Sequence, residues 1–173
     1  MSKLKKIQKP KINANLEIIN TVDRLLELID EDEKIYDKLI ENINIPDMDE
    51  SRLSFDGCIF KNVNFDNCTF RYIDLSDVVF DKCDLANVDL SEGSIFRTEF
   101  LNCKMVGCKI EDAHLKDCLF KNILGDYSSF SFSKLNKVSF ESSSFASSVF
   151  MEVKNKYLNF DDCDFKKTVF TRT

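Results

Sequence analysis

The sequence is poor in the residues from which most reaction centres are built. It has one histidine, His114, and four glycines in 173 residues. A lone histidine offers no acid–base pair. So few glycines leave no Gly-rich loop to cradle a phosphate. No run of 18 apolar residues is present, which excludes a transmembrane helix and predicts no membrane partner. The charged N-terminus from Met1 to Lys11 leads into no apolar core, so it does not read as a secretory signal and the expected location is cytoplasmic. The seven cysteines lack His and Asp partners at metal-ligand spacing, so no metal site is expected. These absences predict a protein that is not an enzyme and carries no cofactor.

What the chain has instead is a period. Every fifth residue from Phe55 to Phe170 is large and apolar at 22 of 24 positions, the exceptions being Gly125 and Asn155. A helix repeats every 3.6 residues and a strand every 2, so neither accounts for a period of five. The unit is a short extended step followed by a bend, and such a fixed period marks a repeat architecture. Two residues before each large side chain stands a small or β-branched one, for example Val63, Ile73, Val78, Val88, Ala113 and Val138. Residues two apart on an extended segment point the same way. Each unit therefore sends one large and one small side chain inward and three polar ones outward. Cys58, Cys68, Cys83, Cys103, Cys108, Cys118 and Cys163 all fall in the small column. Their placement marks them as core filler, a role that a buried free thiol suits.

Units such as Cys68-Thr69-Phe70-Arg71-Tyr72, Ala86-Asn87-Val88-Asp89-Leu90 and Asp117-Cys118-Leu119-Phe120-Lys121 resemble the pentapeptide-repeat family over roughly residues 53 to 172. The resemblance implies an all-β solenoid: a right-handed quadrilateral parallel β-helix with four pentapeptides, 20 residues, per turn. Twenty-four units then make about six coils. In agreement with a 20-residue turn, Phe60, Phe80, Phe100, Phe120, Phe140 and Phe160 share one column and are expected to stack as an aromatic core ladder. Gly125 and Asn155, together with the off-grid Phe96 and Phe132, mark either local distortions or a contact surface.

Three regions are expected: a flexible basic tail (1–13), a helical N-terminal cap and lead-in (14–52), and the β-helix (53–173). The tail carries five lysines. Leu16, Ile19, Val22, Leu25, Leu26 and Ile29, then Ile35, Leu39, Ile40 and Ile43, follow helical spacing and predict two short α-helices or one bent helix ending near residue 44. Asp30 or Asp32 is placed to cap a second helix, and Pro46 to follow its end. The apolar helix face needs burial, either on the open first coil at Leu53 to Phe70 or on a side strip formed by Ile59, Val79 and Leu119. At the other end nothing covers the last coil, so either the sequence is cut short or two copies meet in an end-to-end homodimer through the C-terminal coil.

The net charge of −6 is unevenly spread. Residues 14–52 hold 12 acids and 4 bases, residues 53–92 hold 8 and 3, and residues 93–173 hold 10 and 12. Asp74, Asp77, Asp81, Asp84, Asp89 and Glu92 form the candidate acidic interaction surface. The acidic Glu31-Asp32-Glu33-Lys34-Ile35 stretch, Ile45-Pro46, Leu115 to Phe120 and Asp126 to Phe130 are similar to the bacterial quinolone-resistance class of the family. That resemblance implies a dimeric rod that imitates duplex DNA and binds DNA gyrase or topoisomerase IV, with no sequence-specific nucleic-acid binding of its own. The unbroken register from Phe55 to Phe170 leaves no room for the projecting loops that some members of this class carry. A generic protein-interaction scaffold without a topoisomerase role is the alternative.

Overall fold

The computed structural model describes residues 6–31 and 33–172. Its elements are β1 (Glu17–Ile19), α1 (Val22–Glu31), β2 (Ile35–Tyr36), β3 (Lys38–Glu41), β4 (Ser54–Asp56), β5 (Ile59–Lys61), β6 (Asp74–Asp81), β7 (Ser94–Leu101), β8 (His114–Lys121), β9 (Lys134–Glu141), β10 (Val149–Met151), β11 (Lys154–Asp161) and β12 (Val169–Thr171). Every strand pair is parallel, and from β3 onward the register advances by 20 residues per turn, as in Phe60↔Phe80 and Leu75↔Ile95. The chain is a right-handed parallel β-solenoid of about eight turns.

The period of five has a backbone cause. From Asp37 to Arg172 every fifth residue except Asp47 lies in the left-handed region, with φ between 43° and 68°. Such a residue turns the chain by about a quarter and returns it to an extended path. L-residues resist this conformation, Asn and Asp least, and Asn42, Asn62, Asn67, Asn87, Asn102 and Asn122 occupy these corners. Four corners close one coil. We name the sides A to D by their inward residues. Side A carries Phe55, Leu75, Ile95, Leu115 and Leu135, and side B carries Phe60 to Phe160. Side C carries Phe65, Leu85, Met105, Gly125 and Phe145, and side D carries Phe70, Leu90, Ile110, Phe130 and Phe150.

Packing follows the columns. The side B rings stack with centroids 4.8, 5.0, 4.7, 4.8 and 5.3 Å apart from Phe60 to Phe160. This spacing is the distance between hydrogen-bonded strands, so each ring sits directly on the one below. Cys58, Cys68, Cys83, Cys103, Cys108 and Cys118 are buried in the column beside the large residues and Cys163 half so, all as free thiols. Burial pushes the Cys118 thiol up to about 12 and the Cys58 thiol to about 11. Gly125 makes room for a ring: a Cβ there would meet Phe145 Cδ1 at 2.7 Å and Cε1 more closely still. Asn155 is exposed on the last coil, where no further rung covers it.

Three expectations need correction. The solenoid has about eight turns rather than six. It begins well before residue 53, because Ile19 and Ile40 precede Phe60 on side B and Ile35 pairs with Phe55 on side A. Among the described residues there is one helix, and residues 35–41 form β2 and β3 instead of a second one. Ile35, Ile40 and Ile45 stand on the grid of five as well as on a helical face. Left-handed Asp37 and Asn42 and the ready partner strands decide for the coil. Asp30 is the penultimate residue of α1 and caps no second helix; Asp32 lies outside the described residues.

α1 replaces half of a coil and folds across the open end of the core. Thr21 Oγ1 accepts a hydrogen bond from the Arg24 N–H at 3.4 Å, as an N-cap does. Leu25 and Leu28 are buried, and Leu25 and Ile29 face Ile45, Met48, Leu53 and Phe55. At the opposite end Phe160, Val169 and Phe170 are 40%, 44% and 44% exposed.

Candidate interaction surface

The outward residues form columns at 20-residue spacing, and pairing runs along them. Asp77 meets Arg97, Asp84 meets Lys104, Asp117 meets Lys137, Lys121 meets Glu141 and Glu152 meets Arg172. Stacked coils bring such side chains about 4.8 Å apart, so opposite charges in one column relieve each other.

This arrangement governs the six carboxylates of the candidate acidic surface. They lie on one coil and point to all of its sides. Asp74 stands on side A, Asp77 at the A–B corner, Asp81 at the end of side B, Asp84 on side C, Asp89 on side D and Glu92 at the D–A corner. On the next coil their columns continue as Ser94, Arg97, Leu101, Lys104, Lys109 and Asp112. A phosphate-like track would need carboxylates on successive coils. Only the Glu92–Asp112 column provides one here. Cations engage five of the six: Lys34 approaches Asp74 at 4.0 Å, Arg97 and Lys104 hold Asp77 and Asp84, and Arg71 bonds both Asp89 and Glu92. Asp81 accepts a hydrogen bond from Asn102 Nδ2 at 2.9 Å.

The side strip takes no helix. Ile59 and Val79 are adjacent in one column, Glu99 interrupts it, and Leu119 follows. Leu119 shares a cleft with Ile7 of the N-terminal segment.

That segment corrects another expectation. Residues 1–5 lie outside the described residues, but residues 6–13 are an extended strap along the A–B corner rather than a loose tail. The Gln8 N–H donates to Asp117 Oδ1 at 3.1 Å, and the Lys11 N–H donates to Asp77 Oδ1 at 2.9 Å. Both aspartates are buried. Arg97 braces Asp77 through Nε and Nη2 at 2.6 and 2.7 Å. Burial alone would raise the Asp77 pKa. The Arg97 hydrogen bonds and the Lys11 N–H outweigh it and hold the carboxyl below its ordinary value. Gln8, Phe96, Arg97, Lys116 and Asp117 line a further cleft, which places Phe96 beside the strap. Phe132 has another setting: with Leu124, Tyr127 and Met151 it is among the exposed large apolar side chains of the later coils.

Nothing in this arrangement resembles a reaction centre. Among the described residues no group of three or more His, Cys, Asp or Glu could hold a metal ion. No helix there is long and apolar enough to cross a membrane. The repeat itself identifies the chain: the family model described as a pentapeptide repeat region matches residues 53–130 and 93–170. The chain belongs to the pentapeptide repeat family. Among solved pentapeptide repeat structures, full-length QnrB1, a plasmid-mediated fluoroquinolone resistance protein, matches at 19% identity. That match covers 91% of this chain and 83% of QnrB1, with a TM-score of 0.45. A trypsin-treated QnrB1 variant matches at 20% identity over 80% of this chain, with a TM-score of 0.37. A pentapeptide repeat protein of the Arabidopsis thaliana thylakoid lumen matches at 18% identity over 49% of this chain, with a TM-score of 0.38. The chain spans 65% of that QnrB1 variant and 52% of the Arabidopsis protein, less than two thirds of either. No curated protein matches the chain.

The strap is the feature that sequence reasoning missed. Written in rows of 20, the corner column reads Asp37, Gly57, Asp77, Arg97, Asp117, Lys137 and Tyr157. The alternation of acid and base from Asp77 to Lys137 was visible in the pentapeptide repeat. Its use by backbone N–H groups was not, because backbone donors leave no mark on a sequence.

Proposed function

We propose that this chain is a non-enzymatic interaction rod whose partner is a type II topoisomerase, DNA gyrase or topoisomerase IV. The observation that carries the reading is an uneven charge on a regular rod. Residues 14–92 hold 20 acids and 7 bases, whereas residues 93–173 carry a small positive excess. An acidic end on a stiff solenoid suits a basic surface built to bind DNA, which carries about one charge per 1.7 Å. Mimicry of DNA is then local to the first coils, with Asp74, Asp77, Asp81, Asp84, Asp89 and Glu92 as its outer rim. Ile59 and Val79 are the apolar contacts of the same end. The exposed Phe160, Val169 and Phe170 support an end-to-end homodimer in which the C-terminal coils meet and the acidic ends point outward. A cytoplasmic location agrees with such a partner.

The test is a gyrase and topoisomerase IV assay of supercoiling or decatenation, and of quinolone-stabilised DNA cleavage, with the purified full chain. The reading predicts inhibited turnover or reduced cleavage at a fixed drug concentration. If neither changes with either enzyme at protein excess, the topoisomerase reading is lost. A general protein-interaction scaffold then stands in its place. The pairing of five of the six surface carboxylates with cations favours that second reading.

A further inference from the structure

The geometry points to a peptide-docking track along the A–B corner, which the chain's own strap keeps occupied and which takes an extended, lysine-rich segment of a partner in exchange. Two repeats of different origin match there. Asp77 and Asp117 stand two coils apart, about 9.6 Å at the spacing of hydrogen-bonded strands. Gln8 and Lys11 are three residues apart, about 10 Å in an extended chain. A segment running along the corner therefore presents a backbone N–H to a buried carboxylate at every third residue, and the strap does so at 3.1 and 2.9 Å. Arg97 and Lys137 occupy the coils between and hold the two carboxylates in place, Arg97 through two hydrogen bonds and Lys137 at 3.7 Å.

The clamp reads backbone, so it asks little of sequence beyond two residues with N–H groups. The flanking clefts ask more. Ile7 lies in a cleft with Leu119, Val138 and Tyr157, while Lys6 and Lys9 line that same cleft with Glu99 and Glu141. The chemistry that fits is an apolar residue flanked by lysines, in an extended stretch with no proline at the two clamped positions. Pro10 of the strap obeys this rule, since it falls between the clamped residues. The solenoid runs unbroken beneath the strap, with Leu75 to Ile95 and Leu115 in register on side A. An exchange of segments therefore leaves the coils intact. A tethered strap competes at an effective concentration of order millimolar, so the track opens only to a partner that binds well below that level or holds the rod elsewhere too. This inference does not rest on the topoisomerase reading, and either can fail alone.

The experiment uses the full chain and a fluorescent peptide of residues 5–12. In the double variant Gln8→Pro, Lys11→Pro the strap has lost both donors and the coils are unchanged. The peptide should bind that variant saturably and at least tenfold more tightly than it binds the parent chain. A second peptide, N-methylated at the positions of Gln8 and Lys11, has the same charge and no clamped N–H; it should bind at least tenfold more weakly. Equal binding of the two peptides would show attraction by charge alone and overturn the proposal, as would no binding at all to the folded variant. Should the variant not fold, amide hydrogen exchange on the parent chain decides: saturating unmodified peptide must speed exchange at Gln8 and Lys11 severalfold, and unchanged rates overturn the exchange of segments.

Discussion

The two ends of the solenoid are built from the same repeat and end differently. At the N-terminal end α1 lies over the core and buries Leu25 and Leu28 against the first coils. At the C-terminal end Phe160 and Phe170 are 40% and 44% exposed. Ring stacking registers the difference: interplanar angles within the ladder are 6°, 2°, 5° and 11° and then open to 29° at Phe140–Phe160. In a solenoid each coil is held by its neighbours, so a coil with one neighbour is held by about half as much. What the comparison teaches is that stability here belongs to contacts between rungs and that the ends are where sequence can choose a partner.

The largest effect expected from breaking the comparison comes from its middle. Phe120→Ala removes a fully buried ring stacked between Phe100 and Phe140, and should destabilise the chain by about 3–5 kcal/mol in chemical denaturation. Phe170→Ala, at the open end, should change the same midpoint by less than a third of that. Next comes the cap. Leu25→Ala should cost about 2–4 kcal/mol and expose the first coils to proteolysis while the later ones stay resistant. Smaller again is Gly125→Ala, which overpacks the Phe145 ring and should cost about 1–3 kcal/mol, with Phe145→Leu in the same chain restoring part of it.

Much of this was legible in the chain, for reasons that particular residues show. Phe60 to Phe160 and the seven cysteines repeat at fixed spacing because every coil poses the same packing problem, so one column announces its neighbours. Ile35, Ile40 and Ile43 were misread because three or four isoleucines satisfy a helical and a five-residue spacing at once, and only the partner strands separate the two. The strap was illegible for a different reason. Lys6 to Lys11 have the composition of a solvated tail, and their docking depends on N–H groups that every non-proline residue carries. The candidate acidic surface lay between the extremes: Asp74 to Glu92 span less than 20 residues, which already confines them to one coil and rules out a track along the rod.

The smallest predicted effect concerns pH. The folded-state pKa of Asp77 is depressed below its ordinary value of 3.8, so its contribution to stability is complete above that value. It is lost as pH falls through the lower, folded value. Denaturation midpoints of the parent chain should therefore fall more steeply below about pH 4 than those of Asp77→Asn, and parallel curves would remove Asp77 from the account.

The central claim is that residues 6–31 complete the solenoid as strap and cap, whereas the last coil is open. Amide hydrogen exchange over the full chain tests it most directly. The account predicts protection at Gln8 and Lys11, strong protection at Asn62 and Asn64 under the capped end, and weak protection at Asp164 and Val169 in the last coil. A strap that exchanges at the rate of free peptide, or a last coil protected as well as the first in a monomeric sample, would contradict it.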